Sequence, residues 1–310
     1  MSNHMIKAIQ IQDYGGPELL RLEEVPNPQP GEGQVLIRIL AAGVNPADWM
    51  MRAGYFKQFM PLQFPWTPGV EGAGIIEAVG TGVTQFKLGQ AVFGLVMGAY
   101  AEYALAAAGD LQPKPAAVSF EQAASVAMGA LTAWAAVVET AQLQSGQRVL
   151  VHGAAGGVGL YAVQLARWKG AHVIGTASAA NAEFARSLGV EQVIDYNSQP
   201  FESLVHDLDA VIDTVGGEIP ERSLQTLRRG GVLVTVAGRL PPDMGKAQGV
   251  RALSAGRAPA ENLGQIAQLI EAGKIRPVAG KVFPLSEARQ AQELSQTGHG
   301  RGRIVLHIAE

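Results

Sequence analysis

Between Val149 and Gly159 the chain reads "VLVHGAAGGVG", four glycines directly behind an apolar, β-branched run. The run Arg148–His152 has the composition of a buried parallel strand. Downstream, "VGLYAVQLARWK" sets Val158, Ala162, Leu165, Ala166 and Trp168 at helical spacing. Strand, glycine turn and helix in that order present backbone N–H groups to a phosphate. Gly156 and Gly159 fall where close approach to a pyrophosphate and tight helix–strand packing leave no room for a Cβ, and Ala154 takes the place of the first glycine of the commonest fingerprint. The loop is therefore read as a pyrophosphate cradle. In NAD-binding domains an Asp or Glu about 20 residues past the loop holds the ribose 2′-hydroxyl. Here the second strand ends "VIGTASAAN", with Ser178 and Asn181 where that carboxylate would stand. Neutral donors accept a 2′-phosphate that an acid would repel, so NADP(H) is expected over NAD(H). Glu183 is read as part of the following helix, facing solvent.

Such a loop carries weight only inside an alternating fold, and the flanking sequence supplies one. Strands are expected at Val149–His152, His172–Gly175, Gln192–Asp195, Ala210–Thr214 and Val232–Ala237. Helices are expected between them: the glycine-loop helix, Asn181–Leu188, Phe201–Asp207 and Ile219–Arg228. This rhythm specifies a parallel sheet with right-handed crossovers. The first 125 residues read instead as β-rich, with apolar runs such as Val35–Leu40 and Gly74–Val79 punctuated by "PNPQPGEG", "FPWTPG" and "GTGV". A capping box, Ser119 with Gln122, opens two helical segments around Gly129. Leu240–Pro259 is read as a loop bordering the pocket. A helix over Ala260–Ala272, another near Ser286–Gln296 and a last strand, "RGRIVLHI", return to the β domain.

Composition narrows the chemistry. With 310 residues the chain can bury a large core and is long enough for two domains. Apolar residues at 47% and charged residues at 16% mark an ordinary globular protein. A net charge of -3 gives no electrostatic reason to expect nucleic acid or an anionic membrane. No apolar run approaches the roughly 18 residues of a membrane span, and "MSNHMIKAIQ" lacks a signal peptide's apolar stretch, so a cytoplasmic protein is expected. With no cysteine, disulfides, thiolate nucleophiles and cysteine-containing zinc sites are excluded. The six histidines are scattered, without HExxH or an i, i+3 or i+4 pair, and no metal site is expected. None of the six tyrosines is followed four residues later by Lys, which excludes a short-chain dehydrogenase.

Taken in order, "AAGVNPADWMMRAG", "TPGVEGAGIIEAVGTGV", "GALTAW", "VLVHGAAGGVG" and "GHGRGRIVLHI" resemble the zinc-free quinone oxidoreductase branch of the medium-chain dehydrogenase/reductase superfamily. The resemblance covers nearly the whole chain. It implies an α/β fold: a GroES-like β-rich catalytic domain (1–125 and 260–310), a Rossmann doubly wound parallel-sheet NADP-binding domain (126–259), and an active site in the cleft between them. Zinc-dependent relatives carry Cys where Asn45 stands and His where Val70 stands, and their third ligand would fall near Ala127 or Met128. Without a Lewis acid the acceptor must already be electron-poor, so the resemblance implies hydride transfer from NADPH to quinones, with the protein supplying position and hydrogen-bond donors. Reduction of the C=C bond of α,β-unsaturated aldehydes or ketones is the alternative within the class, and non-catalytic NADPH binding the alternative outside it.

The same resemblance puts Asn45 beside the nicotinamide and Thr132 at the nicotinamide end of the cofactor. Ala155, Gly156, Gly157 and Val158 would meet the pyrophosphate, and Ser178, Asn181 and Tyr196 the 2′-phosphate. Gly238 is expected as a further cofactor contact, and Gly302 with Arg303 matches the family's Gly-Lys pair beside the nicotinamide. Alkenal-reductase-like relatives have Lys where this chain has Met50. Trp49, Tyr55 and Phe56 are the local candidates for an aromatic acceptor pocket. Tyr55, as a buried hydroxyl, would donate to a substrate carbonyl or, with Phe56, close the domain interface. Asp48 is read as a helix cap, or as the orienting group of a proton relay. Glu71 either orders the cofactor loop or is an ordinary salt-bridged residue. Trp134 and Trp168 are read as core. A homodimer is expected through the sheet edge beyond Val232–Ala237, because an unpaired edge strand invites pairing.

Overall fold

Alternating residues start the chain as an antiparallel ribbon, β1 (Met5–Gln10) with β2 (Arg21–Pro26). The computed structural model describes residues 5–309, so the first four residues of the N-terminal stretch read above lie outside it. There follow β3 (Gln34–Val44), α1 (Pro46–Arg52), β4 (Glu71–Val79), β5 (Ala91–Leu95), β6 (Tyr103–Ala107), β7 (Leu111–Pro113) and α2 (Phe120–Ala124). β3 is the hub of this unit because it is long enough to hold two partners along one edge. β6 pairs with Gln34–Arg38 and the last strand with Ala41–Val44. Ile37, Ile39, Ile76, Val92 and Leu306 fill the core between them. The capping box forms as expected: Gln122 N donates to Ser119 Oγ at 3.2 Å, and Ser119 N to Gln122 Oε1 at 2.9 Å.

α3 (Ala127–Trp134) runs on into a π-helical turn, Ala135–Thr140. Gly129 therefore lies inside a helix, and the break expected there falls at Ser125–Val126 instead. Next come β8 (Arg148–His152), α4 (Gly159–Trp168), β9 (His172–Ala177), α5 (Ala182–Leu188), β10 (Gln192–Asp195), β11 (Leu208–Asp213), α6 (Ile219–Ser223), β12 (Leu227–Thr235) and β13 (Arg251–Ser254). All six strands are parallel, in the order β10–β9–β8–β11–β12–β13. Val149, Leu150 and Val151 are fully buried, as a central strand covered on both faces requires.

Phe201–Asp207 is no helix: a 3-10 turn, Phe201–Ser203, is followed by Asp207 at φ +54, which leads into β11. The helix expected to reach Arg228 is α-helical to Ser223 and continues as a 3-10 turn over Leu224–Thr226, after which β12 begins at Leu227. The supposed loop Leu240–Pro259 contains β13, which pairs with β12, so β12 is not the sheet edge. Trp168 stacks on buried Trp134 at 5.8 Å but is itself 38% exposed, so only Trp134 belongs to the core.

The chain closes with α7 (Leu263–Glu271), β14 (Ala279–Pro284), α8 (Ala288–Gln296) and β15 (Arg303–His307). By internal contacts it divides into two units. One comprises the described residues up to Met128, Ala260–Glu271 and residues 277–309; the other comprises Gly129–Pro259 and Ala272–Arg276. Among the described residues no helix is long and apolar enough to cross a membrane.

Candidate active site

In the parallel-sheet unit the strand order reverses between β8 and β11, so the crevice outside their C-terminal ends is the topological switch point. The glycine loop leaves β8 there. Gly153 turns the chain at φ +68, with no room for a side chain, since a Cβ would stand 2.7 Å from Thr214 Oγ1. Gly156 N donates to Gly153 O at 2.9 Å and closes the turn. A Cβ on Gly159 would overlap the Gly153 backbone, so the first turn of α4 packs directly on the loop. The amides of Ala155, Gly157 and Val158 meet no acceptor among the described residues, and no side chain caps α4. Open amides at the positive end of a ten-residue helix fit a pyrophosphate. α3 runs against the same loop: a Cβ on Gly129 would lie 2.7 Å from Gly157 O, and half-buried Thr132 lies one turn further on.

β9 and β10 end side by side, Ala177 opposite Asp195, so Ser178 and Tyr196 leave the sheet as neighbours. Ser178 precedes the 3-10 turn Ala179–Asn181 and Asn181 precedes α5, yet neither side chain caps its helix. Tyr196 is half exposed, and the Asp195 carboxylate is turned onto Asn197 N at 3.1 Å. At the end of β11, buried Asp213 accepts from Val215 N at 2.9 Å, Gly216 N at 3.0 Å and Thr235 Oγ1 at 2.6 Å, which ties the ends of β11 and β12 together. Gly238 follows at φ +144, a backbone geometry that side-chain-bearing residues rarely adopt.

In the β-rich unit, Asn45 links β3 to α1. Its Nδ2 donates to Glu71 Oε1 at 2.9 Å and its Oδ1 accepts from Arg303 Nη2 at 2.6 Å. The same guanidinium nitrogen bonds Glu71 Oε1, and Glu71 Oε2 accepts from Met128 N at 2.7 Å. Glu71 is fully buried and Arg303 nearly so, which makes Glu71 an interior ion-pair residue. Asp48 Oδ2 accepts from Asn45 N and from Tyr100 Oη, both at 2.8 Å, so it does cap α1. Burial lifts the Asp48 carboxyl to about 7, against the pull of those two hydrogen bonds. Burial likewise raises the Tyr100 hydroxyl, with Asp48 adding to it. Asp48 Oδ1 and Arg303 Nε remain without partners among the described residues. Gly302 sets the approach of Arg303: its φ is +69, and a Cβ there would stand 3.0 Å from Val278 O.

Tyr55 departs from expectation. It is 68% exposed, edge-on to Trp49 at 5.7 Å, so its hydroxyl is not the buried donor foreseen. Sequence patterns do not single out Thr176 and Asp213, each an isolated polar residue in a strand, or Tyr100, in the loop between β5 and β6, because none carries a local signal of its partner. Among the described residues no three or more His, Cys, Asp or Glu side chains lie together as a metal site would need.

Two family models match the chain: an alcohol dehydrogenase GroES-like domain over residues 31–116 and a zinc-binding dehydrogenase over residues 188–306. The quinone oxidoreductase of Mus musculus is 35% identical, the match covering 97% of this chain and 98% of that protein. A 2-methylene-furan-3-one reductase of Solanum lycopersicum is 34% identical over 97% of this chain and 79% of its own length. The structure of the quinone oxidoreductase from Coxiella burnetii superposes with a TM-score of 0.88 at 34% identity, covering 98% of this chain and 99% of that one.

Proposed function

Because the chain belongs to the quinone oxidoreductase branch of the medium-chain dehydrogenase/reductase superfamily, we propose that it transfers a hydride from NADPH to quinones without zinc. Membership makes it an oxidoreductase with a GroES-like and a Rossmann domain, using a nicotinamide cofactor. The observation that carries the finer reading is the end of β9, where Ser178 and Asn181 offer uncapped neutral donors. Ser178, Asn181 and Tyr196 would hold the 2′-phosphate, and the amides of Ala155, Gly157 and Val158 the pyrophosphate, with Gly156 and Gly238 leaving the backbone free to approach. Asn45 and Thr132 are assigned to the nicotinamide end. When bound, the cofactor supplies the hydride.

The zinc-binding dehydrogenase model calls for a metal, and the residues present do not fit one. The oxygens of Asn45 and Glu71 already share the Arg303 guanidinium, and the chain has no thiolate. With no Lewis acid the acceptor must delocalise its own developing charge, which quinones do. Initial rates of NADPH oxidation with 1,4-benzoquinone, run beside NADH, test this. Turnover with NADPH and little with NADH is the expected result; equal rates would overturn the phosphate assignment.

The tomato relative favours a second reading, reduction of a conjugated C=C bond. A 2-alkenal turned over faster than benzoquinone would move the assignment there. For assembly, β13 and not β12 is the edge strand on that side of the sheet, and a homodimer through Arg251–Ser254 is the arrangement edge pairing there favours. A monomer in light scattering at micromolar concentration would remove it.

A further inference from the structure

His152, the last residue of β8, is 1% exposed and meets hydrogen-bond partners on both ring nitrogens. Nε2 lies 3.0 Å from Ser223 Oγ on α6, and Nδ1 lies 3.2 Å from Thr176 Oγ1 on β9. Ser223 Oγ donates its single proton to Ile219 O at 2.7 Å, so toward His152 it can only accept, and Nε2 must carry the ring proton. Burial holds the imidazole neutral, its pKa pushed down to about 4, so Nδ1 is bare and accepts from the Thr176 hydroxyl. The charged groups around the ring are Asp213 on β11, Arg222 on α6 and Glu202 in the turn after Pro200. Phe201 of that turn packs edge-on against the imidazole at 4.5 Å.

With its proton committed to His152, the Thr176 hydroxyl turns a lone pair toward Gly153 N–H, which donates to it at 3.1 Å. Thr176 O takes the next amide, Ala154 N, at 3.0 Å. One residue thus grips the first two amides of the glycine loop, and the opposite wall is held by Thr214 Oγ1 donating to His152 O at 2.8 Å. We propose that His152, in its Nε2–H tautomer, is a positioning residue for the cofactor loop, orienting the Thr176 hydroxyl that anchors Gly153 and so setting affinity for the cofactor's pyrophosphate. The assignment of that loop rests on the function proposed above. His152 touches no reacting atom, so its influence falls on binding and not on the hydride step.

Two amide replacements separate orientation from packing. Asn at 152 can put an oxygen near the Nδ1 position and accept from Thr176, losing the Ser223 link. Gln can put its amide near the Nε2 position and donate to Ser223, losing Thr176. The expected result is that His152→Asn binds NADPH more tightly than His152→Gln by about three- to tenfold, the range of one net hydrogen bond. kcat at saturating NADPH should be equal in both. A packing role predicts the reverse, since the shorter Asn leaves the larger void. Equal affinities, or Gln binding more tightly than Asn, would overturn the proposal. Should His152→Asn fail to fold, Thr176→Val against Thr176→Ser makes the same comparison, and wild-type affinity in Thr176→Val is equally fatal. Nitrogen NMR of the wild-type ring is independent of any cofactor, and a proton on Nδ1 would sink the tautomer. A wild-type protein that binds neither NADPH nor NADH would instead bring down the function proposed above and, with it, the role in affinity, while the NMR result would still decide the tautomer.

Discussion

The two units bury polar groups in opposite ways. In the β-rich unit, Asn45, Asp48, Glu71, Tyr100 and Arg303 form a cluster that is charged and incompletely satisfied, with Asp48 Oδ1 and Arg303 Nε left over. In the parallel-sheet unit, His152, Thr176 and Ser223 form a neutral chain in which both ring nitrogens are satisfied. A neutral chain needs only a consistent direction of donors. A buried charge needs an opposite charge and enough hydrogen bonds to replace its water. The first cluster should therefore fail abruptly when one member is removed, and the second gradually.

The largest expected effect follows from that contrast. Glu71→Leu leaves the Arg303 guanidinium buried with Asn45 Oδ1 as its one partner among the described residues, and should cost about 3–5 kcal/mol in urea unfolding. Adding Arg303→Met removes the stranded charge and should return most of the loss, because paired removal of a buried ion pair is often close to neutral. A double variant as unstable as the single would show that the cluster holds the fold through something other than its charge balance.

Next come two pH dependences of opposite sign. Folding takes the Asp48 carboxyl from 3.8 to about 7, so the folded state binds a proton that the unfolded chain has released across that interval. Its contribution to stability falls as pH rises from about 4 to about 7, by roughly 4 kcal/mol. Folding takes His152 from 6.5 to about 4, so here the unfolded chain binds the extra proton. That contribution is fully present above about 6.5 and falls as pH drops toward 4, by roughly 3 kcal/mol. Between pH 4 and 6.5 the two offset each other. Asp48→Asn should expose the histidine's slope, a protein that weakens on acidification, and His152→Asn the aspartate's, one that strengthens. Urea midpoints at four pH values would read both, and two variants with parallel profiles would contradict the pair of assignments.

How much of this was legible in the sequence follows the same division. The glycine loop, β8 and α4 were readable because their signals are local: a β-branched run, glycines at fixed spacing and a helical period. β13 was not, because "RALS" is short and mostly exposed and carries no apolar alternation. The turn at Phe201 passed for a helix because its one buried ring answers to His152, 49 positions earlier, not to neighbours one turn away. Asn45 was found by its motif, but its partners Glu71 and Arg303 lie 26 and 258 residues away, and no spacing rule joins them. The resemblance makes Arg303 a cofactor contact, but no motif joins its guanidinium to Asn45 and Glu71, which it bonds in the fold. Sequence patterns found the glycine turn between β8 and α4; the side-chain networks behind it needed the fold.

A smaller effect tests the neutral chain. Ser223→Ala removes the acceptor of His152 Nε2–H and strands a buried donor, which should cost about 1–3 kcal/mol. The loss should be accompanied by faster hydrogen exchange at the Gly153 amide, because the orientation of Thr176 is no longer fixed from behind. Unchanged exchange at Gly153 would mean that the chain is continuous in geometry but not in energy.

The smallest effect lies in the charged cluster. Tyr100→Phe keeps the buried ring and removes the hydroxyl that donates to Asp48 Oδ2, a loss of about 1 kcal/mol where Asp48 is ionised. That hydrogen bond favours the carboxylate, so its removal should push the Asp48 carboxyl higher still. The stability lost on raising pH should then extend beyond pH 7, with little change at pH 5, where the carboxyl is protonated with or without the hydroxyl. A loss of equal size at both pH values would assign Tyr100 to packing alone, and the cluster would be less strongly coupled than its geometry implies.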